Sequence, residues 1–192
     1  MEPEPPPLTA LSRSFFERET VEVARDLVGV WLLHQGVGGP LVETEAYTDS
    51  DDPASHAFRG PTRRNRAMFE EPGRAYVYFI YGNHFCLNVV AHPPGRAGAV
   101  LLRALEPRLG LESMVTRRGR AQLRLLASGP GRLCQALAVD LTHNGTCMLD
   151  WLGASQATTS ISSGPRIGIR QAVERPWRFF HSGSPWVSRR PA

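Results

Sequence analysis

The stretch LVETEAY at residues 41–47 constrains the fold of this chain most. Two glutamates, Glu43 and Glu45, stand two positions apart among apolar residues, and Tyr47 follows after the same step. Because side chains alternate between the faces of a β-strand, an extended conformation brings all three to one face. A carboxylate held on a rigid strand can activate a water molecule. The pattern is equally typical of the wet side of a half-exposed strand, and this stretch alone leaves both interpretations open.

Further strands are predicted on either side of this stretch. VWLLH at 30–34 and LVETEAY flank the glycine-rich segment QGVGGP, so we expect the two to form a β-hairpin. AYVYFIYGNHFCLNVV at 75–90 predicts two strands that reverse at YGNH, where Gly and Asn tolerate the positive φ of a tight turn. AVLLRALEP at 99–107 predicts a nearly continuous apolar strand that carries one charge, Arg103.

Helices are predicted at three places. Thr20 can cap a helix that runs to about residue 28, residues 109–118 carry a second apolar stripe, and SGPG at 128–131 opens a third helix. The exposed amides of that third helix could hold a phosphate, although a plain N-cap explains the sequence as well. In the last third, RIGI at 166–169 and PWRFFHSGSPWVS at 176–188 indicate short strands and aromatic packing.

The charge of the chain points to a polyanionic partner. All 22 basic residues are arginine and none is lysine, which excludes a lysine Schiff base and a P-loop lysine. Residues 1–52 hold three arginines and eleven carboxylates, a net charge of −8, whereas residues 53–192 hold nineteen arginines and seven carboxylates, a net charge of +12. Codon choice in a GC-rich genome can replace Lys by Arg, but it does not create a positive excess. Nucleic acid is the simplest partner.

Two arginine features need explanation. In PTRRNRAMF at 61–69, Arg63, Arg64 and Arg66 precede apolar anchors at Met68 and Phe69, which favours a positioned, phosphate-contacting loop over a solvated basic one. In the strand at 99–107, a buried Arg103 would need a carboxylate or an anionic ligand as its partner. A position at the rim of the sheet would satisfy Arg103 equally well.

No metal site or membrane span is predicted. The three cysteines form no CxxC pair, so we expect small buried residues rather than disulfides, and the six histidines lack metal-ligand spacing. The sequence has no run of 18 apolar residues and no secretory signal pattern, so we expect a single domain over 11–188 inside the cell. The Pro/Glu-rich residues 1–10 and the end at 189–192 are expected to be disordered.

Taken together and in this order, VETEAY, the step from Tyr47 to His56, RRNRAMF, YVYFIYGNHFCLN, VLLRALEP, SGPGRLCQAL, RIGI and GSPWVS resemble the alkyladenine (3-methyladenine) DNA glycosylase family over roughly residues 13–188. With the predicted elements, the resemblance implies an α+β fold, a single compact domain with a curved, mainly antiparallel β-sheet, a protruding β-hairpin and surrounding helices. It further implies a monomer that removes alkylated or deaminated purines from duplex DNA without metal or organic cofactor.

The resemblance also implies catalytic roles. Glu45 matches the general base for the attacking water, and Arg103 and the backbone carbonyl of Ile167 match groups that hold this water. Tyr81 matches the residue at the hairpin tip that wedges into the minor groove. The residues that follow it, Gly82-Asn83-His84, depart from the larger apolar or aromatic neighbours of the family.

A pocket for the flipped base is implied as well. Tyr47 matches the aromatic residue on one side of the base, and His56 and Tyr78 match those on its other side. The backbone amide of His56 would read the base edge. Asn88 matches the side chain that crowds the exocyclic amino group of guanine, and Leu101 completes the pocket.

The chemistry of the residues agrees with this family. Cleavage at a deoxyribose passes through an oxocarbenium-like state, which a carboxylate stabilises. Without lysine the nucleophile is water, so we expect a monofunctional enzyme. Two other classes stay open: a non-catalytic binder of damaged or single-stranded nucleic acid, and a hydrolase of free nucleosides or glycans. Release of bases from alkylated duplex DNA distinguishes all three.

Overall fold

The computed structural model describes residues 4–155 and 160–189, which form a nine-stranded sheet with four α-helices around it. The strands are β1 (Thr9–Ala10), β2 (Trp31–His34), β3 (Val37–Tyr47), β4 (Ala75–Ile80), β5 (His84–Val90), β6 (Ala99–Leu105), β7 (Leu152–Ala154), β8 (Ile161–Gly164) and β9 (Arg178–His181). They lie in the order β1-β7-β2-β3-β6-β5-β4, and β9 pairs with both β3 and β8. Every pairing between these described strands is antiparallel, so the α+β prediction is confirmed.

The helices are short and pack against the sheet. They are α1 (Arg13–Phe16), α2 (Thr20–Asp26), α3 (Leu111–Arg118) and α4 (Pro130–Leu137). Single 3₁₀ turns occur at Arg66–Phe69, Leu123–Leu125, Leu141–His143 and Leu149–Trp151. The apolar faces of α2 and α4 and the inner faces of the central strands form one core cluster. None of the described helices is long and apolar enough to cross a membrane.

The hairpin predicted after VWLLH is present, but its turn is shorter than the predicted QGVGGP. Strand β3 already begins at Val37, so His34 pairs with Val37 and the reversal is the two-residue turn Gln35-Gly36, both with positive φ. The prediction made the turn too long, because only Gly36 of the three glycines in QGVGGP lies in the turn, while Gly38 and Gly39 lie in β3 and pack closely against neighbouring backbone. A Cβ on Gly39 would lie 1.9 Å from the carbonyl oxygen of Glu106. LVETEAY itself pairs with β6 and β9, which places it in the middle of the sheet.

The hairpin predicted at residues 75–90 is confirmed. β4 and β5 pair from Ala75↔Val89 to Ile80↔His84, and the chain reverses at residues 81–83. Tyr81 has a φ of 54° and is 80% exposed, so this ring stands at the tip and outside the core. β4 is the last strand of the sheet order, which leaves the hairpin at its edge.

Other local predictions need correction. Thr20 is the first residue of α2, not its cap: its hydroxyl donates to the carbonyl of Ala91, and the helix ends at Asp26. RIGI at 166–169 is irregular backbone between β8 and β9, not a strand. Of the cysteines expected to be buried, Cys147 is exposed.

The chain ends also differ from expectation where they can be compared. Within the segment 1–10 that was predicted to be disordered, Thr9 and Ala10 form β1 and pair with β7. At the other end, the carbonyl of Arg189 accepts a hydrogen bond from Arg178. Residues 4–8 form no helix or strand, and the predicted disorder at residues 1–3 and 190–192 lies outside the described residues.

Candidate active site

The two glutamates of β3 are buried. Glu43 and Glu45 both have 0% exposure, so the interpretation of this face as the wet side of a strand is wrong. Unpaired buried carboxylates are costly, so each must be compensated by nearby donors. Arg103 of β6 donates hydrogen bonds to both carboxylates: its Nε donates to Glu43 at 3.0 Å and its Nη1 donates to Glu45 at 3.2 Å. The buried Arg103 therefore pairs with carboxylates and does not lie at the sheet rim.

Glu45 accepts hydrogen bonds from three elements. Besides Arg103, the hydroxyl of Tyr47 donates to its Oε2 at 2.9 Å, and the backbone amide of Ile167 donates to its Oε1 at 2.7 Å. The carboxylate is thus fixed by its own strand, by a neighbouring strand and by the irregular RIGI segment. For Ile167 it is the amide that contacts Glu45, a contact that the sequence reasoning did not include.

Glu43 has even more donors. Arg178 of β9 donates through Nε at 2.7 Å, and Ser188 donates through its hydroxyl at 2.9 Å and through its amide. Sequence reasoning missed both residues. The available signal was an arginine within the apolar run of β9, the same signal that singled out Arg103, but its partner lies 135 positions away.

The two carboxylates have opposite pKa shifts. Burial alone would raise the pKa of Glu43, but two guanidinium groups and the Ser188 amide outweigh it and hold this pKa below its ordinary value. For Glu45 burial dominates and raises the pKa, because its single guanidinium partner and two neutral donors do not offset the desolvation. Burial would lower the pKa of Arg103, but the two glutamates raise it, so Arg103 stays charged.

A cavity of about 480 Å³ opens beside this network. Three of its lining residues, Tyr47, Arg103 and Ile167, are the ones that hold the carboxylate of Glu45. The structure brings all the predicted pocket residues and the hairpin tip to this cavity, whose lining includes Tyr47, His56, Tyr78, Tyr81, Asn88 and Leu101. A concave site with aromatic walls and a few convergent polar groups is typical of ligand pockets.

Tyr76 organises one wall of the cavity. Its hydroxyl lies 2.8 Å from Nδ1 of His56, and its backbone carbonyl accepts a hydrogen bond from the side-chain amide of Asn88 at 2.9 Å. The rings of His56 and Tyr78 meet edge to face with centroids 4.7 Å apart. Burial and then the charge of Arg64 lower the pKa of His56, so its imidazole is neutral at pH 7. Sequence reasoning treated Tyr76 only as a strand former and missed this role.

Residues 48–56, TDSDDPASH, form an acidic loop that ends at His56, and a buried ion pair anchors this loop. Arg166 binds Asp52 in a bidentate way, at 2.5 and 2.7 Å, with both side chains fully buried. Arg166 also donates to the carbonyl of Ala46, and its guanidinium lies 4.7 Å from the centroid of the Tyr47 ring. One arginine next to Ile167 therefore connects the RIGI segment, the acidic loop and strand β3. The sequence reasoning did not single it out.

The predicted phosphate-contacting arginines lie outside the main cavity. Arg63 is exposed, Arg66 is 80% exposed and forms an ion pair with Glu70 at 3.4 Å, and Arg64 donates to the carbonyl of Phe79 on β4. Arg64 also lines a second cavity of about 380 Å³ that adjoins the first at His56. The expected apolar anchor Met68 is buried in a separate cluster beside β4, so the loop is positioned by packing.

No group of three or more histidine, cysteine or carboxylate side chains in the described part of the chain could hold a metal ion. The start of α4 offers Gly129 as N-cap without a side-chain hydrogen bond, and Pro130 at its first turn lines the main cavity. The hydroxyl of Ser128 donates to the carbonyl of Arg124 and does not cap the helix.

A family model described as methylpurine-DNA glycosylase matches residues 14–185. The chain belongs to this family. Methylpurine-DNA glycosylase relatives with about half of their residues identical include proteins from Granulibacter bethesdensis, 51% identical over 94% of this chain and 88% of the relative, and from Nitrosospira multiformis, 50% identical over 91% of each. A third, from Rhodopseudomonas palustris, is 52% identical over 93% of this chain and 90% of the relative. All three carry the provisional name 3-methyladenine DNA glycosylase, and the resemblance noted in the sequence is confirmed.

Proposed function

We propose that this protein is a monofunctional DNA glycosylase of base excision repair. It flips a damaged purine, alkylated or deaminated, out of duplex DNA and hydrolyses the N-glycosidic bond with a water activated by Glu45, which leaves an abasic site. The observation that carries the proposal is the buried Glu45, held by residues that line a cavity with aromatic walls, in a member of the methylpurine-DNA glycosylase family.

The hydrogen bonds of Glu45 among the described residues leave one acceptor site of its carboxylate unused. A carboxylate oxygen has two acceptor sites, and Oε2 uses both, for Arg103 and Tyr47, whereas Oε1 accepts only from the Ile167 amide among the described contacts. The second site of Oε1 is where the attacking water would donate its proton. Arg103 and the carbonyl of Ile167 would orient the water, and the charge of the carboxylate would stabilise the oxocarbenium-like sugar.

The cavity supplies the surfaces that a flipped base needs. Extrusion of a base costs a few kcal/mol, and stacking on aromatic side chains returns about 1–3 kcal/mol per base. Tyr47 would stack on one side and His56 and Tyr78 on the other. Asn88, fixed by its bond to the Tyr76 carbonyl, would crowd the amino group of guanine. The His56 amide would read the base edge, and Leu101 would complete the apolar wall.

The exposed groups around the cavity would bind the rest of the duplex. The Tyr81 ring at the hairpin tip would fill the gap left by the flipped nucleotide, and Arg63, Arg64 and Arg66 would contact phosphates. Because the sequence has no lysine, no lysine Schiff base can form and we propose no lyase step. We propose that the enzyme acts as a monomer, without metal or organic cofactor, inside the cell with the DNA.

Single-turnover excision tests this proposal against the two other classes. Duplex DNA with one alkylated purine, single-stranded DNA with the same lesion and the free alkylated nucleoside are each mixed with excess protein, and the released base is quantified. We expect release from the duplex and no strand cleavage until the abasic site is treated with alkali. Tight binding without base release would indicate a binder, and preference for the nucleoside would indicate a nucleoside hydrolase.

A further inference from the structure

The segment from the end of α3 to the first half of α4 carries a group of arginines without carboxylate partners among the described residues. Residues 113–139 contain five arginines, at 117, 118, 120, 124 and 132, and no acidic residue. In the part of the chain that the structure describes, none of the five lies within 4.0 Å of a carboxylate oxygen, although ten arginines elsewhere do. No carboxylate of the described residues neutralises this positive charge by an ion pair.

Four of the five arginines, Arg117, Arg118, Arg124 and Arg132, are nevertheless held in place by oxygen atoms of the protein. Arg118 contacts the side-chain oxygen of Gln135 and the carbonyl of Leu125, and Arg132 donates to the carbonyl and the hydroxyl of Ser128. Burial and then the charges of Arg132 and Arg120 lower the pKa of Arg118, so these guanidinium groups are close enough to repel one another. Fixed like charges in this arrangement favour an anion between them, because an anion removes the repulsion without new ordering.

The start of α4 lies against one side of the β4–β5 hairpin. A Cβ on Gly131 would come within 2.9 Å of the His84 ring, at the beginning of β5. On the other side, Arg64 donates to the carbonyl of Phe79 on β4. The hairpin therefore contacts the loop at 63–66 through β4, and it contacts the start of α4, which carries Arg132, through β5.

We propose that Arg118, Arg120 and Arg132, called the α3–α4 arginine cluster below, bind phosphates of the DNA duplex on the β5 side of the hairpin. The loop at 63–66 then holds phosphates on the β4 side. The inference rests on the proposed function and adds a second phosphate contact to it. Contacts on both sides of the tip keep the backbone from moving away while Tyr81 enters the duplex, which a single contact could not do.

The salt dependence of duplex binding tests the cluster. Each phosphate contact contributes about 0.9 to the slope of log K against log salt concentration. The triple variant Arg118→Gln, Arg120→Gln, Arg132→Gln should therefore bind undamaged duplex with a slope lower by about 2–3. Arg→Lys at the same three positions should restore the slope. Arg25→Gln, which removes an exposed positive charge from α2, is the control, and equal loss of slope in this control or an unchanged slope in the triple variant would overturn the proposal.

Neutral methylphosphonate linkages test the two-sided geometry. Linkages are placed one at a time on each strand around the lesion, and affinity is measured for wild type, the triple variant and Arg63→Gln. Some neutral linkages should weaken binding by the wild type but not by the triple variant, and others should weaken binding by the wild type but not by Arg63→Gln. We expect these two sets of linkages to lie at different positions on the duplex. Identical positions for both would overturn the arrangement around the hairpin.

Failure of this inference can be told from failure of the proposed function. The triple variant should need a higher protein concentration than the wild type for half-maximal release of an alkylated purine, because it has lost phosphate contacts but no side chain that lines the base cavity. Absence of base release by the wild type would refute the glycosylase proposal, while the salt slopes would still decide whether the cluster binds phosphates. Equal melting temperatures would show that the triple variant is folded.

Discussion

Two glutamates on the same face of one strand differ because of the residues around them. Both are fully buried, but Glu43 has two arginines and both donors of Ser188, whereas Glu45 has one arginine and two neutral donors. The pKa of Glu43 is consequently lowered and that of Glu45 is raised. The carboxylate of Glu43 therefore serves as a structural charge, whereas the carboxylate of Glu45 can accept a proton during the proposed reaction.

The first prediction compares substitutions of these two residues. Glu45→Gln should reduce single-turnover excision by about 10²–10⁴-fold while lesion binding is kept, because the water loses its base. Glu43→Gln should excise more rapidly than Glu45→Gln per folded molecule but should be less stable, by roughly 3–5 kcal/mol, since two buried arginines lose their counter-charge. Rates and denaturant unfolding measure the two effects. A slower Glu43 variant per folded molecule would move the general base to Glu43.

The pH profile follows from the raised pKa of Glu45. The base must be ionised, so excision should fall as pH decreases through a pKa above the ordinary 4.5 of glutamate. A positively charged 7-alkylpurine is the suitable substrate, because its departure needs no acid. Single-turnover rates across the acidic range should show one limb that disappears in Glu45→Gln. A limb that persists in this variant belongs to another group.

Among the described secondary-structure elements, the β4–β5 hairpin is the one that exposes a large side chain, Tyr81, at its tip. Its tip residue has a left-handed backbone and an exposed ring, so the fold gains little from it. The hairpin could be predicted from the sequence, because its strand residues and its turn residues agree with one another. The register of β2 and β3 could not, because the fit of Gly39 against Glu106 depends on a contact between distant segments.

The third prediction concerns this tip. Tyr81→Ser should lower the population of flipped lesion by an amount set by a few kcal/mol of lost stacking, most for well-paired lesions. Fluorescence of a stacking-sensitive lesion base, recorded on mixing, reports the flipped state, and Tyr81→Phe should behave like wild type. The melting temperature should hardly change. An unaffected flipping equilibrium with a large drop in melting temperature would assign the wedge to another residue.

The acidic loop provides the fourth prediction, because its ion pairs with Arg166 and Arg96 differ in burial. Asp52→Asn breaks the fully buried pair with Arg166 and should cost roughly 3–5 kcal/mol of unfolding free energy. Arg96→Gln breaks a pair in which the arginine is 48% exposed, and solvent screening should limit its cost to about 0–1 kcal/mol. Denaturant unfolding of both variants measures this difference. Equal costs would show that burial does not decide the strength of these pairs.

Across the whole molecule, what the sequence reveals depends on how far apart the interacting residues are. The face of Glu43, Glu45 and Tyr47 follows from alternation along one strand, and the residues of the base cavity follow from motifs that resemble a family. Arg166 and Arg178 were missed because their carboxylate partners lie 114 and 135 positions away. Arg178 stands in an apolar run, as Arg103 does, but the sequence does not show which carboxylate pairs with an arginine at such a distance.

The uneven charge of the chain leads to the fifth prediction. With a net charge of +12 over residues 53–192, affinity for duplex DNA should fall steeply as salt rises. Arg63→Glu should flatten this dependence more than Arg25→Glu, because both remove one exposed positive charge but only the first lies in the predicted phosphate-contacting loop. Affinity that is independent of salt concentration would show that nucleic acid is not the partner of this basic surface.

The contact between Ser188 and Glu43 also has a consequence for biosynthesis. A ribosome adds about 5–20 residues per second, so the 145 positions between them take roughly 7–30 s to synthesise. During this interval strand β3 can pair with β6, but Glu43 has neither Arg178 nor Ser188 as a donor. A nascent chain that has not yet reached position 188 therefore cannot complete this network of buried charges, and we expect the repair activity to appear only after Ser188 has left the ribosome.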